Sequence, residues 1–561
     1  MATAVLFIWP VISIALFGLF GRERGLIWSA VVGYLLLPER LVYELPGLPD
    51  YDKYFAISFG LVVGALLFRH KSSFDFDLAA PPPRDMGAEV AAVWEEVLDT
   101  ENIARDKSFR EFGGSERQAR DTVRRLADIG MPMETARQLH ENATIADLTK
   151  VVPEDGPRRL GARGLGVMLY VLLGLLLLAA VMTLASNPED IVNGPRLRPG
   201  LTYRDVVSMV SGPLIAMVPF FLALRFLRSP THQVEVMKAI VICGVFYAAL
   251  AAFEARMSPQ LNVWIYGYFQ HSWVQHLRDG FRPIVFLSHG LSLGFFLLTA
   301  AIAGFALFRH LKEPVRFAYL AGGIWILLVL FISRNLGAAI LAILFVPMVF
   351  LAPRFLQVRV AAACAALLLV YPFVWQSQIL PIDAFMEFVT SISGARAQSL
   401  QTRLDNEAML LARALEKPLF GWGAWGRWRV FNESGQDLTI SDGLWIITLG
   451  ERGWAGYLAF FGIITLPLFF LVRAVRIKER SHVVIGMALI TAANLIYMIP
   501  NSTLTPVGWL MIGTIAGYVR WFVVEVEATK IPETAPKRSF SPYTRFAQDR
   551  SRGTGGGLSR G

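Results

Sequence analysis

The chain carries roughly thirteen apolar runs, each approaching the length a helix needs to cross about 30 Å of hydrocarbon. In lipid every backbone amide must be satisfied within its own segment, so such runs fold as helices. They begin near Ala4, Gly25, Tyr54, Leu165, Val206, Ala239, Ile284, Phe317, Leu336, Val360, Leu444, Val483 and Thr505. The expected fold class is all-α, a polytopic transmembrane helical bundle of about 12–13 helices. Composition agrees: 17% of residues are charged, against about 25% in soluble domains. Cys243 and Cys364 lie inside apolar runs, so neither a disulfide framework nor a cysteine metal site is indicated. The first run lacks a basic leader, so no cleavable signal peptide is expected.

The formal net charge of +9 does not point to nucleic acid, because the basic residues cluster beside apolar runs. The clusters are Arg22 with Arg24, Arg69 with Lys71, Arg225 with Arg228, Arg309 to Arg316, Arg354 with Arg359, and Arg473 to Arg480. The positive-inside rule assigns all six to the cytoplasmic side without contradiction. The N-terminus, the Ala255–Arg282 loop and the Arg334 turn then lie outside, and the C-terminus inside. The implied organisation is 1–70, N-terminal transmembrane helices; 71–163, a small cytoplasmic helical insert; 164–376, transmembrane helices; 377–443, a large periplasmic loop; 444–524, C-terminal transmembrane helices; and 525–561, a Pro/Ser/Gly/Arg-rich disordered tail. Within the insert, Ala88–Asp99 has helical periodicity. Ser115 with Gln118 forms a capping-box pattern ahead of Ala119, Val123, Leu126 and Ile129, with Gly130 closing the helix.

Loop 377–443 is too long to be a plain connection. A helix expected over Ala397–Lys417 places Arg396 and Arg403, seven residues apart, on one stripe. Leu400, Leu404, Leu411 and Leu415 form its apolar face, and Pro418 and Gly421 stop it. Trp422, Trp425, Trp428 and Trp445 follow, interleaved with Arg427 and Arg429, with Asp442 at the lip of the next run. The tryptophans suit either sugar stacking or an interfacial aromatic belt.

Three features of about Phe281–Trp521 resemble the bacterial O-antigen ligase and Wzy-type polymerase superfamily. They are SRNLGAAILAILFVP from Ser333; the spaced set Arg403, Leu404, Leu411, Leu415, Pro418, Leu419, Gly421 and Gly423; and SDGLWIITLGERGWAG from Ser441. The resemblance implies a metal-independent glycosyltransferase of the bacterial inner membrane, without cofactor. It would polymerise or transfer polyprenyl-diphosphate-linked glycans at the periplasmic face. Chain-length regulators or other polysaccharide-assembly proteins are implied as partners. A departing lipid diphosphate needs fixed cations, and guanidinium grips phosphate oxygens in a fork. The candidates are Arg282, Arg334, Arg403 and Arg396. Asp442 stands where ligases of the family usually carry His, which favours polymerase over ligase. Asp442 and Arg403 are the expected catalytic pair; Trp422, Trp425 and Glu451 are the acceptor or sugar contacts, Glu451 being an ionisable group within an apolar run. A helix N-cap is the plain alternative for Asp442.

Other classes have weaker signals. Asp50 and Asp52, with Glu44 nearby, make an Asp-x-Asp pattern that a phosphosugar transferase could use. A transporter or lipid-glycan flippase is the non-enzymatic alternative, although few ionisable residues lie deep in the runs. No G-x-x-x-x-G-K-[ST] loop is present, so nucleotide-driven pumping is disfavoured. His271 and His276, five apart, are poorly spaced for one helical face, and His289 reads as a core histidine. No metal is expected.

Overall fold

The computed structural model describes residues 1–44, 49–69, 71, 86–98, 103–104, 106–128, 144–145, 148, 161–277, 280–377, 379, 382–392, 394–475, 481–502 and 504–522. The expected tail 525–561, and Ile129 and Gly130 of the insert, lie outside these residues. Two compact units result. One takes in Met86–Leu126 and Met131–Arg158; the other comprises Met1–Asp85, Ala127–Gly130 and Arg159–Glu525.

In the larger unit every expected apolar run is helical: α1 Ala2–Phe20, α2 Arg22–Leu36, α3 Lys53–Leu67, α6 Gly161–Ala185, α7 Tyr203–Phe226, α8 Pro230–Met257, α11 Gly290–His310, α12 Val315–Ile332, α13 Leu336–Leu351, α14 Arg354–Gln376, α17 Leu444–Val475, α18 His482–Tyr497 and α19 Pro506–Gly517. Short helices α9 (Leu261–Tyr266) and α10 (Trp273–Leu277) precede α11, and α15 (Ile382–Ile392) and α16 (Gly394–Leu415) fill the long loop. Among the described residues, eight helices are long and apolar enough to cross a membrane. The chain is an all-α polytopic membrane protein.

Local chemistry sets the helix starts. Asp52 caps α3 by accepting the Phe55 amide at 2.8 Å, which occupies half of the Asp-x-Asp pattern. Thr202 with Asp205 and Ser229 with His232 form capping boxes on α7 and α8, satisfying amides that a helix leaves free. The seventh run starts at Gly290 instead of Ile284. Glu254 on α8 takes the Ile284 and Val285 amides at 2.9 and 2.7 Å, and Val285 has a φ of 56°. Arg282 therefore belongs to the preceding loop, not to a helix end. Helix α11 is buried almost along its whole length against α8, α12, α13 and α18. Arg22 donates its amide to the Lys71 carbonyl at 2.8 Å, joining two of the basic clusters, while Arg24 pairs with Glu235 at 3.2 Å and Arg309 reaches the Phe350 carbonyl at 3.2 Å.

The smaller unit holds α4 (Met86–Leu98) and, as far as Leu126, α5 (Glu116–Asp128). Both arms of the expected cap are present: the Ser115 amide bonds Gln118 Oε1 at 3.1 Å and the Gln118 amide bonds Ser115 Oγ at 3.4 Å. Ala119, Val123 and Leu126 are buried, and Trp94 packs edge-on to Phe109 at 5.1 Å.

Candidate functional site

Helix α17 is broken at Gly453, whose φ of 59° and ψ of −169° are not helical. The Pro418–Gly423 turn docks on this break by backbone alone. The Trp422 and Gly423 amides bond the Gly450 and Glu451 carbonyls at 2.9 Å each, and the Trp454 and Ala455 amides bond the Pro418 and Leu419 carbonyls at 2.7 and 3.0 Å. Gly421 and Gly423 have φ of 70° and 81°. A Cβ on Gly421 would stand 2.5 Å from the Arg452 nitrogen, and one on Gly453 would stand 2.5 Å from the Phe420 nitrogen. Only glycine permits both the dihedral and the approach. The motif glycines thus join the loop to the helix. Glu451 sits in the same break, its carboxylate beside Arg452 and Trp428.

The tryptophans divide. Trp422 is 7% exposed, donates its indole N–H to the Arg413 carbonyl at 2.7 Å, and carries the Arg413 guanidinium 3.4 Å above its ring. Trp428 and Trp445 are buried, the latter edge-on to Tyr371 at 5.0 Å. Trp425 alone of the four is exposed, at 64%, with φ of 63° and its indole bonded to Asp205 at 2.8 Å. It lines a cleft of about 920 Å³ with Asp50, Tyr203, Arg204 and Trp509. Arg427 is 2% exposed. It donates to the Trp422, Pro199 and Glu189 carbonyls at 3.3, 2.7 and 2.9 Å. This holds the loop to a two-stranded hairpin, β1 (Ile191–Asn193) and β2 (Arg196–Arg198), which the sequence reading did not anticipate.

On α16, Arg403 approaches Asp442 at 3.5 Å and the Pro500 carbonyl at 3.5 Å. Arg396 lies on the same helix, but its side chain is outside the described residues. Asp442 does not cap α17: the Leu444 amide goes to the Met498 and Asn501 carbonyls at 3.1 and 3.4 Å. Glu407, one turn beyond Arg403, was not singled out from the sequence. Burial pushes its carboxyl up to about 7, and the Asp442 charge adds to that, while the Trp445 indole and Arg403 oppose it. The Trp445 N–H is itself buried without a hydrogen-bond partner.

Arg282 lies within electrostatic reach of Arg403. Burial lowers its affinity for the proton, and the Arg403 cation adds to the effect. Its Nε is buried and unpartnered and would stand 2.9 Å from a Cβ on Gly290. Glu254 pins the segment from one side, and Gln270 donates to the Val285 and Leu287 carbonyls at 2.7 and 3.1 Å from another. Arg334, exposed with φ of 58°, lies against Gly280, where a Cβ would meet its guanidinium at 2.7 Å. Its neighbour Asn335 is buried and ties three helices together. It caps Ala338 at 3.2 Å, donates to the Gly290 carbonyl at 3.2 Å, and donates to Tyr497 Oη at 3.0 Å.

The loop before α11 gathers His271, His276 and His289, with ring centroids 4.4 to 5.3 Å apart. His289 caps α11 by accepting the Leu291 amide at 2.9 Å, so it is not a plain core residue. Burial, together with the neighbouring imidazoles and Arg282, pushes His271 down to about 4 and His289 to about 3. The arrangement as a whole offers two guanidinium groups in electrostatic contact, a carboxylate beside one of them, and a second carboxyl that titrates near neutrality. Such a set can hold a dianionic leaving group and take a proton. Neither a comparison with protein-family models nor one with curated proteins finds a match for the chain.

Proposed function

We propose that the chain is a membrane glycosyltransferase of the O-antigen ligase and Wzy-polymerase type. It would act on polyprenyl-diphosphate-linked glycans at the periplasmic face of a bacterial inner membrane. The observation that carries this reading is the meeting of Arg403 with Asp442 at 3.5 Å, with Arg282 and Glu407 in electrostatic contact with Arg403. The acceptor hydroxyl oxygen attacks the anomeric carbon of the donor. The bond from that carbon to the diphosphate oxygen breaks, and the lipid diphosphate leaves with the bonding electrons. Arg403, Arg282 and Arg334 hold its charge. Asp442 orients the acceptor, and Glu407 takes the hydroxyl proton, a carboxylate poised near neutral pH being suited to that work. Trp425 on its open cleft offers a face to the saccharide. The sidedness follows from the six basic clusters, and the aspartate at position 442 favours polymerisation over transfer to a different lipid.

The test is the purified protein in detergent with a polyprenyl-diphosphate oligosaccharide, its products resolved by mass spectrometry. A ladder of lengthened chains with release of lipid diphosphate is expected, slowed about 10²–10³-fold in Arg403→Ala, the scale of losing one fixed charge-stabilising donor. Transfer only to an added foreign acceptor would make it a ligase. No turnover with several donors would end the glycosyltransferase reading.

A further inference from the structure

We propose that His271, His276 and His289 form a binding site for a divalent transition-metal ion of the zinc type, with a fourth position open to an anion. One ligand atom from each residue lies within 4.8 Å of the others. Nitrogens sharing a tetrahedral zinc at 2.0–2.1 Å stand about 3.3 Å apart, so the three imidazoles draw together by up to about 1.5 Å to complete the set. His276 is fully buried, at 0% exposure. Its Nδ1 lies 3.0 Å from the Ser272 carbonyl, which makes Nδ1 the protonated nitrogen and leaves a lone pair on Nε2. That Nε2 is buried without a partner, and so is Nδ1 of His271. An imidazole oriented by a backbone carbonyl with its other nitrogen bare is the arrangement that metal-bound histidines show. Two buried ring nitrogens without hydrogen-bond partners are unfavourable unless something occupies them, and a cation satisfies both at once.

His289 supplies the third imidazole from the start of α11. Its Nδ1 accepts the Leu291 amide at 2.9 Å, so coordination exchanges that cap bond for a metal bond. The Ser292 and Leu293 amides still bond the His289 carbonyl at 3.0 and 3.2 Å, which keeps the helix start closed. Three neutral ligands leave the full charge of the ion beside the Arg282 cation, and an anion in the fourth position offsets it. Imidazole-only donors favour zinc, copper, nickel and cobalt over magnesium or calcium. The site does not rest on the glycosyltransferase reading and is tested without it.

Tag-free full-length protein in detergent, stripped with chelator, is incubated with zinc, freed of excess metal and analysed by elemental mass spectrometry. Cobalt titration followed by visible absorption reports coordination geometry. The expected result is one zinc per chain and the d–d bands of four- or five-coordinate cobalt. His271→Ala and His276→Gln should lose stoichiometric metal. His289→Asn, which keeps a capping side chain, should weaken affinity at least about 100-fold while remaining monodisperse. Wild-type protein with only trace zinc, or variants binding as well as wild type, would overturn the site and leave a water-filled group of neutral histidines.

Discussion

Arg403 and Asp442 meet at 3.5 Å where α16 crosses the start of α17, with each side chain about two-fifths exposed. The pair is too long and too open to be a structural clamp, since an ion pair of this kind contributes about 0–1 kcal/mol. It is a contact that an arriving phosphate or hydroxyl can replace at small cost.

Glu407 should give the site its pH dependence. Its carboxyl binds a proton up to about pH 7 in the folded protein, against an ordinary value of 4.5. Folding therefore favours the protonated form. That stabilisation is complete below pH 4.5 and is lost as pH rises through about 7. Relative to Glu407→Gln, wild-type protein should lose thermal stability between pH 5 and 8, measured by unfolding in detergent. Transfer should rise over the same interval in wild type and be weak and flat in the variant. Parallel pH profiles for the two proteins would remove Glu407 from the role of base.

The docked turn predicts an unusual sensitivity at small residues. Gly421→Ala and Gly453→Ala place a Cβ within 2.5 Å of backbone nitrogen at positive φ. Each should lower stability by about 1–3 kcal/mol or more, read as an earlier loss of the monodisperse peak on heating. Gly394→Ala, at a helical position with no atom in the way, is the control and should be neutral or slightly stabilising.

Arg427 and Arg429 should part company despite their spacing. Arg427→Ala strands three carbonyls in a buried site and is expected to cost about 3 kcal/mol or more. Lysine should not restore it, because a single ammonium cannot span the same fork. Arg429 pairs with Asp437 at 2.5 Å near the surface, and Arg429→Ala should stay within about 1 kcal/mol. Thermal stability of the three variants side by side decides this.

Sidedness has a direct test. Ser434 is exposed in loop 377–443, so Ser434→Cys should react with a membrane-impermeant thiol reagent in intact spheroplasts. Labelling only after lysis would invert the orientation assumed for the site.

The apolar runs alone determined the helical bundle, because a backbone in lipid has no other way to satisfy its amides. The loop helix was equally legible: its stripe of leucines and the Pro418 stop predicted Ala397–Lys417, and Gly394–Leu415 is observed. Capping residues such as Ser115 act within one turn, so their pattern survives in one dimension. Tertiary structure decided the rest. Glu407 reads as one more polar residue of α16 until Trp445 of α17 covers it. Trp422 and Trp425, three residues apart, differ because only one faces a packed segment. His289 joins His271 and His276 only because Glu254 and Gln270 fold the intervening backbone into place. Periodicity records which face of an element is apolar, but the electrostatics of a side chain depend on the groups brought up to it from distant sequence, and that is decided only when the elements pack.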